Sequence, residues 1–320
     1  KDMDAMVLAL VREWTRDGRK PPRDVVLAFV SDEEAGGREG AHYLVDNHAD
    51  LFADCTEAIS EVGGFSVSLD AQTRLYLIQT AEKGINWLRL KAAGRPGHGS
   101  LMHDDNAVTA LATAVSRIGT HEHPLRITDT VRAMVEGIAG VTGMDLDPDE
   151  PAVWLPKLGG AARMIGAVIR NTANPTMLEA GYKANVIPSK AEATIDARFL
   201  PGYEDELLAT IDELLPAGVE REFIVRDIAV ETSFDGALVE AMAAALRAED
   251  EGGHPIPYLM SGGTDAKSFS TLGMRCFGFS PLLLPADLDF MALFHGIDER
   301  VPVEGLKFGV RVLDRLLSSC

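Results

Sequence analysis

Three consecutive acids, Asp32, Glu33 and Glu34, follow directly on an apolar run at residues 25–30, and this junction is where residue types and spacing best support chemistry. A short run rich in β-branched residues reads as a central parallel strand, and ligands in open α/β sheets collect where strands end. Adjacent carboxylates repel one another and are costly to desolvate unless a cation compensates them. One reading of the junction is therefore half of a divalent-metal site. The other is a solvated acidic loop opening a helix, because Asp and Glu favour helix N-termini.

Further candidates lie along the chain. Glu61 ends a second strand of the same kind. Among the eight histidines, His295 lies in a polar loop at residues 293–300, where a neutral imidazole could meet carboxylates; an exposed loop histidine is the alternative. His98 occupies a rigid turn, Arg95-Pro96-Gly97-His98-Gly99-Ser100. The triplets His48/Asp50 and His103/Asp105 end no central strand and read as surface helix features. Ser261-Gly262-Gly263-Thr264-Asp265 joins a strand to a helix, so its amides could hold an anion such as a carboxylate. It lacks the Lys-Ser/Thr ending of a phosphate loop, which argues against nucleotide binding. Asn185 and Arg198 bring a carbonyl-binding amide and a carboxylate-binding guanidinium to neighbouring strands. Turn chemistry and a surface ion pair would explain each of them singly.

The elements that must position these residues follow from periodicity. Residues 2–14 carry apolar side chains at helical spacing and read as a helix packed on a sheet. Strands at 25–30 and one ending at Ser60 and Glu61, with a helix at 40–47 between them, alternate as in an α/β fold. From residue 84 the texture changes. A half-exposed strand at 85–92, a helix at 105–118, strands at 177–183 and 191–200, a helix at 203–215 and a strand at 220–228 match the split pattern of a ferredoxin-like unit. Residues 120–165 read as irregular. The α/β texture returns with a helix at 236–248, strands at 256–260 and 274–279, and a last helix from Pro302. The expected fold class is thus α/β. Residues 1–83 and 229–320 would form one domain, with residues 84–228 inserted as an α+β domain.

Composition narrows the partners. With 320 residues the chain can bury a sizeable core. A formal net charge of −19 argues against nucleic acid or an anionic membrane and for a small-molecule or peptide substrate. Cys55, Cys276 and Cys320 are few, odd in number and widely spaced, as in a reducing compartment. No apolar stretch is long enough to span a bilayer, and a cytoplasmic protein is expected.

In order, Ser31-Asp32-Glu33-Glu34, Ser60-Glu61-Val62-Gly63-Gly64, Gly97-His98-Gly99-Ser100, Asn185-Val186-Ile187-Pro188, Asp196-Ala197-Arg198, Ser261-Gly262-Gly263-Thr264-Asp265 and His295-Gly296 resemble one family across essentially the whole chain. It is the family of dinuclear zinc amide hydrolases that includes aminoacylase, acetylornithine deacetylase, succinyl-diaminopimelate desuccinylase and carboxypeptidase G. The resemblance implies a zinc-peptidase-like mixed sheet whose inserted domain acts as a lid and dimerises. It implies two zinc ions per subunit of the complete protein, although carboxylate and imidazole ligands also accept cobalt or manganese. Glu33 would be the general base, Glu34 and His295 would ligate one zinc, and Glu61 the other. His98 would cross a homodimer interface to polarise the scissile carbonyl. Asn185, Arg198 and the loop of Gly262, Gly263 and Thr264 would bind an N-acyl amino acid or small peptide with a free carboxylate. The family's upstream His-x-Asp and its bridging Asp before a Met-Lys pair have no counterpart here, and Asp2 is not that bridge. The expectation is that the front of a longer polypeptide precedes Lys1. A non-catalytic, metal-poor relative that dimerises and binds carboxylate ligands or a protein is the competing reading.

Overall fold

In a computed structural model, the structure describes residues 1–70, 72–156 and 162–319; Cys320 lies outside them. Its centre is a strand the periodicity did not reveal, Arg74–Glu82. Gln79, Thr80 and Glu82 interrupt its apolar pattern, yet all three are buried, so the strand lacks the alternation that marks a half-exposed one. Along its length it pairs in parallel with Gly253–Met260. It pairs antiparallel, in turn, with Ser66–Ser68, Gly278 and Val230–Glu231. Glu57–Ser60 adds in parallel to Arg275–Gly278 and completes six strands of one mixed sheet among the described residues.

Helices Asp2–Asp17, Ala237–Glu249 and Val303–Ser319 contribute their apolar faces to the core of this sheet. Met6, Leu10, Met242, Phe308, Val312 and Leu316 are buried there. Helix–sheet layering of this kind is the α/β architecture expected from the alternation of elements.

Residues 25–30 do not form the strand that their sequence predicts. Val26 and Phe29 are each 51% exposed. A strand's backbone hydrogen bonds come from a neighbour, and among the described residues none lies beside this run. Its sequence carries the propensity for a strand without the partner. The segment at 120–165, whose residues 157–161 lie outside the described ones, also departs elsewhere from the reading of irregular structure. It holds helices Asp129–Thr142, Pro151–Trp154 and Ala162–Val168. Thr128 caps the first by accepting from the Val131 amide, and Gly143 ends it in the left-handed conformation. Val131, Met134, Val135 and Ile138 join the core of the mixed sheet, together with Trp154. Gly137 allows the close approach, since a Cβ there would lie 2.9 Å from Ile256.

A second sheet is wholly antiparallel, with strand order Thr172–Ala180, Lys190–Phe199, Gly84–Ala93, Val219–Asp227. Helices Ala107–Thr120 and Glu204–Leu214 supply Leu111, Ile118, Leu207 and Ile211 to a separate core with Leu88, Leu90 and Ile195. The first of these helices starts later than expected because Asn106 accepts from the Val108 and Thr109 amides and serves as its cap. The chain leaves the mixed sheet for this one at residues 82–84 and returns at 227–230.

Candidate active site

The acids sit on a tightly built turn. Asp32 holds a left-handed backbone, φ 73°, and its carbonyl accepts from the Ala35 and Gly37 amides at 3.0 and 2.8 Å. Its carboxylate accepts from the Glu39 amide at 2.9 Å. Gly40 closes the turn against Ser31, whose carbonyl would lie 1.9 Å from any Cβ at that position. A single helical turn, Glu33–Ala35, then carries Glu33 and Glu34. Besides Asp32, the non-glycine residues with positive φ among the described residues are Val62 and His295. Each is, or directly adjoins, a residue singled out from the sequence. Backbone strain of this sort persists where the surroundings enforce it, and it concentrates at functional sites.

The side chains converge. His295 Nε2 lies 3.2 Å from Glu34 Oε2 on an exposed face. Glu33, half-buried, has its carboxyl pushed up to about 7, first by burial and then by the charges of Glu61, Asp265, Glu34 and Glu82. Burial also raises Glu61, with Asp265, Asp2 and Glu34 adding to it and the Lys1 amino group pulling the other way. Asp265 is raised to about 6 by burial and by Asp32, against the opposing charge of His42. The structure therefore brings Glu33, Glu34, Glu61 and His295 into one electrostatic cluster. It adds Asp265, Glu82 and His42, which sequence reasoning missed. Asp265 closes the glycine-rich run already singled out, so its position beside that loop was the available signal.

His98 and Asn185 meet elsewhere, on a short ribbon in which Gly97–His98 pairs with Val186–Ile187. The Gly99 amide donates to the Asn185 carbonyl at 2.9 Å. His98 Nδ1 accepts from the Ser100 amide at 3.3 Å and lies 2.8 Å from the Ser100 hydroxyl. A backbone N–H can only donate, so Nδ1 is the acceptor and the neutral ring carries its proton on Nε2. Among the described residues no hydrogen bond or ion pair ties this ribbon to the acidic cluster. Arg198 makes a two-pronged contact with Asp196 at 2.6 and 3.1 Å. It pairs in register with Ile85, whose Cδ1 would lie 3.3 Å from a Cβ on residue 263, and its charge adds to burial in lowering Lys83 and Lys267. The amide and hydroxyl of Thr264 face inward to Glu82.

A carboxylate paired with an imidazole, beside a crowd of mutually repelling acids, has the chemistry of a cation site. The geometry is half of one. Among the described residues no three His, Cys, Asp or Glu side chains group closely enough to hold an ion, and Glu61 does not join Glu34 and His295 in a closed shell.

The model of peptidase family M20/M25/M40 matches residues 1–319. The chain is 24% identical to a probable carboxypeptidase S-like 2 of Dictyostelium discoideum over 94% of its own length and 60% of that protein's. It is 26% identical to the N-fatty-acyl-amino acid synthase/hydrolase PM20D1 of Xenopus tropicalis, covering 94% of this chain and 61% of the relative. Against aminoacylase-1 of Sus scrofa the identity is 26%, covering 100% and 69%. The chain thus spans about three-fifths of the length of the first two relatives. Its fold is similar to that of an M20 family metallo-carboxypeptidase from Sulfolobus solfataricus, with a TM-score of 0.63 at 16% identity, covering 99% of this chain and 75% of that one. The di-peptidase Dug1p of Saccharomyces cerevisiae gives the same TM-score at 14% identity, covering 98% and 70%. From the order of its motifs, its mixed sheet and the match along nearly its whole length, the chain belongs to peptidase family M20/M25/M40.

Proposed function

We propose that the acidic cluster is the hydrolytic centre of an enzyme that cleaves an amide or peptide bond in an N-acyl amino acid or small peptide bearing a free carboxylate. The observation that carries this reading is Glu33, a half-buried carboxyl raised to about 7 by burial and by like charges, one residue from the Glu34–His295 pair. A carboxyl poised near neutrality is matched to general-base work. Glu33 takes a proton from the attacking water and returns it to the leaving amine. Two divalent ions, zinc or alternatively cobalt or manganese, would be held, one by Glu34 and His295 and the other by Glu61, and would polarise the amide carbonyl and offset the negative charge that develops on it. Arg198 and the loop of Gly262, Gly263 and Thr264 receive the substrate carboxylate, the glycines by contact and Thr264 by tying the loop to Glu82, and Asn185 receives the acyl carbonyl. His98, with its proton on Nε2, is suited to donate to a developing oxyanion, acting from a partner subunit in a homodimer formed by the antiparallel-sheet unit, residues 84–228, which serves as the lid. Residues 1–83 and 229–320 form the catalytic unit. We place the protein in the cytoplasm; no helix among the described residues is long and apolar enough to cross a membrane.

A panel of N-acetyl and longer N-acyl amino acids and dipeptides, assayed for amine release, tests this reading. Hydrolysis is expected to vanish with chelator and return with added Zn2+, Co2+ or Mn2+. Hydrolysis of none of them by protein replete with metal would contradict it. The open metal geometry favours a second reading, a dimeric module that binds carboxylate ligands or a protein without turnover. Ligand binding with no amine release at any metal loading would support that instead.

A further inference from the structure

The central strand Arg74–Glu82 ends in a carboxylate that carries out no step of the hydrolysis above, although its charge is the last in rank of those that raise Glu33. Glu82 is 0% exposed and its two oxygens accept from three donors. These are Gln79 Nε2 at 3.0 Å, the Thr264 amide at 2.9 Å and the Thr264 hydroxyl at 2.5 Å. Thr264 Oγ1 itself accepts from the Ala266 amide at 3.1 Å, which leaves its proton free for Glu82. Two more ties bind the same region. The Lys83 amide donates to the Met260 carbonyl at 3.0 Å. Lys267, 2% exposed, donates its Nζ to the Lys83 carbonyl at 2.9 Å and lies 3.6 Å from Asp227. Residues 82–84 and 227–230 are the two crossings between the sheets. The loop at 261–265 is therefore fastened at both ends to the place where the chain passes from one sheet to the other.

We infer that Glu82 is a positioning residue for this loop, acting through Thr264. It sets the direction of the Gly262 and Gly263 amides, and these, rather than Thr264, make the contact with the substrate carboxylate. Every partner is a donor and Glu82 accepts from all of them, so these bonds oppose the burial that raises its carboxyl. Gln at this position would offer one acceptor oxygen and would turn an amino group towards an N–H or O–H donor. Lys267 completes the support from below. A Cβ on residue 263 would lie 2.8 Å from its Nζ, so glycine is what lets the loop rest on the lysine. The inference deepens the functional reading by naming what holds the substrate loop, and in that respect it rests on it.

The test is Glu82→Gln in the full chain, read in two ways. In hydrogen exchange without ligand, the segment covering 261–266 is expected to exchange at least about tenfold faster than in the wild type while the strand Gly84–Ala93 is unchanged, because a buried charge-assisted bond has been lost. In steady-state assays of an N-acyl amino acid at matched metal content, KM is expected to rise about tenfold or more with kcat changed by less than about threefold. For the carboxamide of the same substrate, which lacks the carboxylate, KM should be alike in the two proteins. Unchanged loop exchange and unchanged KM in a folded variant would overturn the inference. So would a fall in kcat alone with loss of metal, which would mark a purely structural effect. If the wild type hydrolyses nothing, the functional reading fails while the exchange measurement still decides the role of Glu82. Should Glu82→Gln not fold, Gln79→Met removes one of the three donors at near-constant volume, and smaller changes in the same directions are expected. Their absence would count against the anchor equally.

Discussion

Glu33 gains its character from its neighbours. Burial and the charges of Glu61, Asp265 and Glu34 make its proton bind more tightly in the folded chain than in the unfolded one. Between its ordinary 4.5 and about 7 the folded state therefore holds more protons, and its contribution to stability falls as pH rises through that window. Asp265 has the same sign between 3.8 and about 6. His123, pushed down to about 4 by burial, works in the opposite sense, so the informative quantity is the difference between wild type and variant. In metal-free protein, Glu33→Gln is expected to raise the melting temperature at pH 7.5 and to have progressively less effect as the pH is lowered to 5. Melting curves across that range check it; a variant less stable than wild type at pH 7.5 would show that the cluster is not strained by like charge.

At the scale of elements, what was legible in the sequence were those whose burial is one-sided. The helix Asp2–Asp17 and the strand Gly84–Ala93 show their pattern because one face meets a core and the other water. The strand Arg74–Glu82 was hidden because it is buried throughout and spends three positions on polar side chains held by internal partners. The run at 25–30 erred in the other direction: the propensity is there and the neighbouring strand is not. In the helix Asp129–Thr142, Gly137 and Gly140 obscured an apolar stripe that packs against Gly253–Met260. The acids of the site were legible because three of them stand in a row, whereas the Glu34–His295 contact joins residues far apart in the chain: the polar loop offered His295 as an imidazole for carboxylates, and only the family resemblance paired it with Glu34. Because Met134 is 1% exposed in the core of the mixed sheet, Met134→Ala is expected to cost about 2–5 kcal/mol in urea unfolding. A loss below about 1 kcal/mol would mean that this helix is a surface excursion and no part of that core.

Across the whole molecule, two sheets with separate cores are joined through crossings at 82–84 and 227–230. Buried charges concentrate there: Glu82 and Lys267 hold the loop at 261–265 to the crossing, and Lys83 donates to the Ala167 and Arg170 carbonyls and lies 3.2 Å from the Thr172 hydroxyl. Glu61 of the acidic cluster follows directly on a strand of the mixed sheet, and the His98–Asn185 ribbon falls in the stretch of chain between the two crossings. The proposed activity requires that these parts act on one substrate, with Glu33 as the proton carrier. The most direct measurement compares amine release from an N-acyl amino acid by wild type and Glu33→Gln at equal, measured metal content. We expect turnover to fall by at least about a hundredfold in the variant, with its metal content and its KM little changed. Turnover within about threefold of wild type would remove Glu33 from the mechanism and, with it, the assignment of the acidic cluster as the hydrolytic centre.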